Sequence, residues 1–184
     1  MQRDLVERAM AGDHDAFTEL ARVTTGRLYV VARLILRDDA SAQDATQEAL
    51  VAAWRHIRGL RDPDRFEAWL HRLLVNACRR EAGRGHRRRS IEVHVSTFEA
   101  PQRDPNLDLF DRDELERGFR RLDTDQRAVL VLHYYVGMPL DEIGKALGLP
   151  PGTVRSRLHR GIQAMRAALA ADARPGVSKG RRLA

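Results

Sequence analysis

Pro139-Leu-Asp-Glu-Ile-Gly-Lys-Ala-Leu-Gly-Leu-Pro-Pro-Gly-Thr-Val-Arg-Ser-Arg-Leu-His-Arg160 is the stretch on which the fold turns. Leu140, Ile143 and Leu147 fall at helical spacing on one face of a short helix. A turn follows at Gly148-Leu149-Pro150-Pro151, and Val154, Leu158, Ile162, Met165 and Leu169 then carry an apolar stripe along a second helix. Two short amphipathic helices about a Gly-containing turn describe a helix-turn-helix, whose second helix is shaped to enter the DNA major groove. From Pro151 to Arg166 there are four arginines (Arg155, Arg157, Arg160, Arg166) and no acid. Such a helix is drawn to phosphate, and arginine also reads guanine edges. Pro150 stands where Ser or Asp would normally cap this helix, and Pro151 suits its first position.

Composition agrees with that beginning. The 184 residues leave room for one domain or two small ones, and a hydrophobic share of 43% is enough to build a core. Ala, Leu and Arg dominate, all of them helix formers, and the longest alternating run is Ile91 to Val95. The expected class is therefore all-α. A net charge of +6 and a pI near 10.3 favour an anionic partner over a merely soluble basic protein. Cys78 is the only cysteine, which excludes an internal disulfide and fits a reducing cytosol. The stretch Met1 to Glu7 has no signal-peptide core, and no apolar run approaches the roughly 20 residues that span a bilayer, so a cytoplasmic location without a membrane span is expected.

Upstream of the helix-turn-helix the periodicity marks three more helices. Phe17, Leu20, Thr24, Leu28, Val31 and Ile35 predict one over about Asp15 to Leu36, broken by Arg37-Asp38-Asp39-Ala40-Ser41. The second runs from about Ala42 to Ile57, with Ala45, Ala49, Ala52 and Trp54 available for packing. Pro63 opens the third, in which Phe66, Trp69, Leu70, Leu73, Leu74 and Ala77 make a buried stripe. These three form an N-terminal unit over residues 12–89. It ends on Arg79, Arg80, Arg84, Arg87, Arg88 and Arg89 against Glu81 alone. From Glu92 to Glu116 the sign reverses, with eight acids against two arginines. Residues 90–108 are expected to be a flexible acidic linker containing Pro101 and Pro105. A C-terminal helical unit spans 109–170, with Leu115, Phe119 and Leu122 on one helix and Val129, Leu130, Leu132, His133 and Val136 on the next. A disordered tail over 171–184 is expected to follow.

Three groups of side chains are candidates for function. On the last helix, Thr153, Ser156, Arg157, Arg160 and Gln163 are expected to point away from the core, with Arg155 and His159 on the flanks. Thr153, Arg155, Ser156, Arg157 and Arg160 are the candidate duplex contacts, set against a solvated basic face in a bundle. Asn76, Arg79, Arg80 and Arg84 lie on the outer side of the third helix, where guanidinium groups meet phosphates and an amide can bond an exposed base. Phe66 and Trp69 have rings able to stack on unpaired bases, but their place in the apolar stripe assigns them to the core. Asp44, Gln47 and Glu48 make a polar patch on an alanine-rich helix, which alone signals no more than a solvated face.

Taken together, the two halves resemble the sigma-70 family of bacterial transcription initiation factors, in particular its extracytoplasmic-function (ECF) group. Asp15-Ala-Phe17 to Leu36-Arg-Asp38 looks like the start of the family's region 2. Ala42-Gln-Asp-Ala-Thr-Gln-Glu-Ala-Leu-Val-Ala-Ala-Trp-Arg55 is similar to its core-polymerase-binding segment, and Phe66 to Arg80 to its promoter-melting segment. Leu122 to Leu132 and Pro139 to Leu169 resemble region 4. The resemblance implies two small helical domains, a region 2 bundle and a region 4 helix-turn-helix. It implies that Asp44, Gln47 and Glu48 dock on a coiled-coil of the largest RNA polymerase subunit. It implies further that Asn76, Arg79, Arg80 and Arg84 recognise the minus-ten promoter element as it opens, and that Thr153, Arg155, Ser156, Arg157 and Arg160 read the minus-thirty-five element as duplex. The family's region 3 is missing, which fits the short linker, and the linker's acidity suits channels of the polymerase otherwise meant for nucleic acid. Leu122-Asp-Thr-Asp125 departs from the family's usual Leu-Pro, Thr46 replaces an apolar residue, and Pro150 replaces a cap. An anti-sigma factor is a further partner that the resemblance admits.

No catalytic constellation accompanies these features. There is no Gly-rich phosphate loop and no HExxH, and the seven histidines lack metal-ligand spacing, so neither a cofactor, a metal nor an enzyme is expected. Two rivals remain to be separated by experiment. A free-standing helix-turn-helix regulator needs a dimer interface and a duplex palindrome. A recombinase-like enzyme needs a positioned nucleophile or a carboxylate cluster.

Overall fold

Residues 2–89 and 118–172 are described in a computed structural model, and no strand occurs among them. The chain begins with α1 (Gln2–Ala11), which the periodicity did not signal. Its apolar stripe is short, but Val6 and Ala9 are buried against the bundle, so the helical unit starts ahead of residue 12. Gly12 takes a φ of 101°, turning the chain into α2 (His14–Leu36). Asp13 caps α2, its Oδ1 accepting from the N–H groups of Asp15 and Ala16 at 3.0 Å each. Arg8 bonds the other oxygen of Asp13, and these donors hold its carboxyl below the usual range, the Ala16 N–H first among them.

The break after α2 is shorter than expected. Arg37 closes α2 in the left-handed region at φ 61°, and Asp38 at once caps α3 (Asp39–His56) by accepting from the Ser41 N–H. Ala42, Ala45, Ala49 and Ala53 are buried, so small side chains let α3 lie close on its neighbours. Thr46, where an apolar residue was expected, is buried with its hydroxyl donating to the Ala42 carbonyl at 2.7 Å. Trp54 packs only in part. It touches the rings of His14 and Phe17 and stays 37% exposed. A 3-10 turn at Pro63–Arg65 leads into α4 (Phe66–Arg89). Phe66, Leu70, Leu74 and Ala77 are buried as the stripe predicts, joined by Val75 and Cys78, while Trp69 is half-buried.

The linker over 90–108, Leu109 and Leu115 lie outside the described residues. Residues 118–120 are helical, and α5 (Thr124–Leu130) follows, with a single π turn at Val131–Tyr135. Asp123 and Gln126 form a reciprocal capping box, so the departure from the family's Leu-Pro costs the helix no cap. The helix-turn-helix is α6 (Leu140–Leu147) and α7 (Pro151–Asp172). Gly148 ends α6 at φ 64°, and the Pro150 carbonyl accepts from Thr153 and Val154. A Cβ at Gly144 would sit 3.1 Å from the Leu149 carbonyl, so the absence of a side chain there lets the turn close. α7 reaches Asp172, two residues beyond the expected end of the unit at residue 170; residues 173–184 lie outside the described ones.

The C-terminal unit packs on the N-terminal bundle, with α5 and α6 against α4 and α5 also against α2. Leu132, Ile143 and Val154 belong to the same buried cluster as Leu28, Ile35 and Leu74. Arg127 on α5 crosses to the N-terminal unit by donating to the Ile35 carbonyl.

Candidate functional site

α3 carries the first surface. Asp44 and Gln47 are exposed and Glu48 is half-buried, all on the side of α3 that meets α4. Together with Val51, Glu81 and Arg84 they line a shallow recess of about 350 Å³. Beside it, between α2 and α3, runs an apolar groove of about 560 Å³ lined by Phe17, Tyr29, Gln47, Leu50, Val51 and Trp54 among others. Gln47 and Val51 border both, so the polar patch and the groove form one continuous face. Val51 and Trp54 are 41% and 37% exposed. Trp54 was expected only to be available for packing; its spacing of three from Val51 was the available signal of an exposed apolar strip.

α4 carries the second surface, and the structure splits its four candidates. Arg80 and Arg84 turn toward α3. Arg80 Nε donates to Glu48 Oε1 at 2.9 Å, and Arg84 pairs with Glu81 and lies 3.8 Å from Glu48 Oε2. Arg79 turns toward the C-terminal unit, and Asn76 is half-buried beside it. Arg79 bonds the Asn76 amide oxygen at 3.4 Å and Asp125 Oδ1 at 2.7 Å. Arg80 and Arg84 remain about half exposed, so these pairs are weak and readily exchanged for another anion.

On α7 the third set is only partly free. Arg155 is exposed, and Arg160 is exposed but folded back on Ser156, with Nη2 donating to the hydroxyl at 3.1 Å. Ser156 in turn donates to the Thr153 carbonyl at 3.0 Å. Arg157, expected to point away from the core, does not. It bends inward to Asp125 Oδ2 at 2.9 Å, with its side chain 24% exposed. Its Nη1 is buried with no hydrogen-bond partner among the described residues. The reason is long-range. Asp125, 32 positions earlier in sequence, supplies the carboxylate with which Arg157 pairs, and helical spacing alone cannot place it. The first turn of α7 carries no acid, so its positive end is unopposed.

Two other groups have settled roles. His71 is buried on α4 and donates through Nδ1 to the Glu67 carbonyl at 2.8 Å, because a carbonyl can only accept. Burial pushes its pKa down. Cys78 is fully buried, and burial pushes its thiol up to about 12. Among the described residues no group of three or more His, Cys, Asp or Glu could hold a metal ion, and no helix is long and apolar enough to cross a membrane.

Comparison with known proteins matches both halves. The family profile for sigma-70 region 2 matches residues 20–89, and that for sigma-70 region 4 matches residues 112–165. The ECF RNA polymerase sigma factor SigE of Mycolicibacterium smegmatis is 33% identical over 160 residues, covering 84% of this chain and 62% of the relative. The RNA polymerase sigma-H factor of Pseudomonas aeruginosa is 30% identical over 179 residues, covering 91% and 93%. Among solved structures, CnrH in complex with the cytosolic domain of CnrY is 30% identical with a TM-score of 0.67, covering 94% of this chain and 99% of that one.

Proposed function

The chain belongs to the sigma-70 family, in its ECF group, and from that premise we propose a division of labour among the three surfaces. It is a sigma factor that gives RNA polymerase promoter-specific initiation. The face of α3 docks on core polymerase through Asp44, Gln47 and Glu48, with the adjoining groove at Val51 and Trp54 taking an apolar side chain of the coiled-coil. Domain limits of 12–89 and 109–170, extended by α1, divide the work between polymerase and minus-ten contacts on one side and minus-thirty-five contacts on the other.

Asn76, Arg79, Arg80 and Arg84 capture the minus-ten element as its bases unstack. Extruding a base costs a few kcal/mol, which phosphate pairing and contacts to the freed base offset. Thr153, Arg155, Ser156, Arg157 and Arg160 dock the minus-thirty-five duplex, with the positive end of α7 aimed at a phosphate. Chemistry belongs to the polymerase, and the chain works where that enzyme is, in the cytoplasm. A second protein partner is fitting, since CnrH is in complex with the cytosolic domain of CnrY in its solved structure, and an anti-sigma factor is the partner we assign to that role.

One observation carries the reading: the polar patch on α3 and the arginines of α4 lie on adjoining helices and touch, at Glu48 and Arg80. Polymerase docking and strand capture thus share one surface, which a free-standing regulator has no use for. Run-off transcription with core polymerase, with mapped start sites, tests it. Discrete starts that vanish without this chain are expected. Specific duplex binding by the chain alone, with no transcription on adding core, would favour the free-standing regulator instead.

A further inference from the structure

Tyr29 Oη donates to Asp39 Oδ1 at 2.9 Å, across the junction where α2 ends and α3 begins. Arg33 Nε donates to the same oxygen, and the Asp39 side chain is only 18% exposed, so the carboxylate is held from two sides in a partly shielded place. The phenol is thereby spent inside the chain, and what Tyr29 shows the apolar groove is its ring. The groove's threonines behave alike. Thr25 donates to the Ala21 carbonyl at 2.6 Å and Thr46 to the Ala42 carbonyl at 2.7 Å, so neither proton needs a partner from an occupant. A groove with three hydroxyls in its lining is therefore apolar in effect and suits a surface of carbon. Its ends lie well apart. Phe17 meets Trp54 at one end, with ring centroids 5.0 Å apart. Tyr29 stands twelve positions further along α2, roughly 18 Å at 1.5 Å per residue.

We propose that Asp39 is a positioning residue for polymerase docking. It fixes the Tyr29 ring as a second apolar wall of the groove. A coiled-coil helix then seats two apolar side chains about three turns apart, one at Val51 and Trp54 and one at Tyr29. That role rests on the assignment of the α3 face to core polymerase. The coiled-coil is the occupant because the groove is continuous, at Gln47 and Val51, with the polar patch that carries Asp44 and Glu48. A half-buried tyrosine left loose has to be ordered when a partner packs on it. Anchored by Asp39 it is ordered beforehand, and that part of the cost of binding is removed. Asp39 therefore acts through Tyr29 and not by contact with the partner.

The test titrates the full chain, labelled at its N-terminus, with core polymerase, well below the melting temperature of every variant. Tyr29→Phe keeps the ring and removes its anchor. Asp39→Asn keeps an oxygen that accepts from the phenol, and Asp39→Ala keeps none. Thr24→Val, on the same helix, removes a buried hydroxyl's bond to the Leu20 carbonyl outside the groove lining, and controls for plain destabilisation. Tyr29→Phe and Asp39→Ala are each expected to lose about three- to tenfold in core affinity, and Asp39→Asn to stay within about twofold of wild type. Thr24→Val should bind core as wild type does, even if its melting temperature falls further than theirs. Tyr29→Phe combined with Asp39→Ala should lose no more than either change alone, because both remove one device. An additive loss in the double variant, or a loss that Thr24→Val shares, makes the role of Asp39 structural only and overturns the positioning. Wild-type affinity in Tyr29→Phe overturns it too, where Asp44→Ala with Gln47→Ala weakens core binding. If that polar-patch variant also binds as wild type, the docking assignment itself has failed and the positioning role falls with it.

Discussion

Glu48 Oε1 accepts from Arg80 Nε at 2.9 Å, joining a residue assigned to polymerase with a residue assigned to DNA. Arg84 approaches the same carboxylate at 3.8 Å, so Glu48 is not a free docking group. Its removal is expected to disturb two functions. Glu48→Ala should weaken core binding and also weaken binding of fork-junction DNA by holoenzyme formed at saturating core. Asp44→Ala with Gln47→Ala should weaken core binding alone, since among the described residues neither makes an ion pair or hydrogen bond with Arg79, Arg80 or Arg84 as Glu48 does. Stability should change by less than about 1 kcal/mol, because the pairs are substantially exposed. Pull-down on core and fork-DNA titration of the assembled holoenzyme check it. Wild-type fork binding by Glu48→Ala holoenzyme would remove the coupling.

Arg157→Ala and Arg160→Ala should each reduce promoter-directed transcription. Loss of a base contact is worth about 1–3 kcal/mol, or roughly 5- to 150-fold in binding. Arg160 is reachable in the free chain and Arg157 is not, because Asp125 holds it. The Arg157 defect should therefore appear in holoenzyme and be small for the isolated chain, whereas Arg160 should matter in both. Unchanged transcription in both variants would sink the assignment of α7 as the recognition helix.

What could be read from the sequence followed local spacing. α2 and α4 were legible because their apolar residues repeat over three or more turns, and the helix-turn-helix because a Gly-containing turn joins two amphipathic stretches. α1 was hidden because Val6 and Ala9 make too short a stripe among charged residues. The role of Asp125 was hidden for a different reason. Arg79 lies 46 positions before it and Arg157 lies 32 after, and no periodicity links residues on separate units. The groove at Val51 and Trp54 was missed because an aromatic on an alanine-rich helix reads as available for packing. In the fold it is the small alanines that are buried, and the ring is left at the edge. That difference is itself testable. Val51→Glu should reduce core binding in pull-down while leaving the melting temperature close to that of wild type, since Val51 is 41% exposed.

Cys78 is poorly placed to sense oxidants. It is fully buried on α4, and burial pushes its thiol up to about 12, from an ordinary value of 9.0. The thiolate is the reactive form, so almost none is present near neutrality. Iodoacetamide at pH 8 should leave the native chain unlabelled and label it fully in denaturant. The sign of the linkage follows from the raised value. The neutral thiol favours the folded state, and that contribution holds below pH 9 and is lost as pH rises from 9 toward 12. Stoichiometric labelling of native chain, read by intact mass, would contradict the burial.

His71 sets the acid side of stability. Burial is the largest cause of its lowered pKa, and nearby Arg27 adds to it, while the Glu67 carbonyl and carboxylate act the other way. A lowered folded value means that the unfolded chain takes up a proton first, at the ordinary 6.5. Above 6.5 the contribution to stability is complete, and it is lost as pH falls from 6.5 through the folded value. The melting temperature should therefore drop below pH 6.5 more steeply than in His71→Gln, whose amide can still donate to the Glu67 carbonyl but takes up no proton. Carboxylates such as Asp13, whose folded value is also lowered, lose their own contribution only at lower pH, as theirs starts from an ordinary value of 3.8. The two effects are thus separable by pH. An identical slope in the wild type and His71→Gln between pH 7 and pH 5 would show that His71 is not the group being titrated.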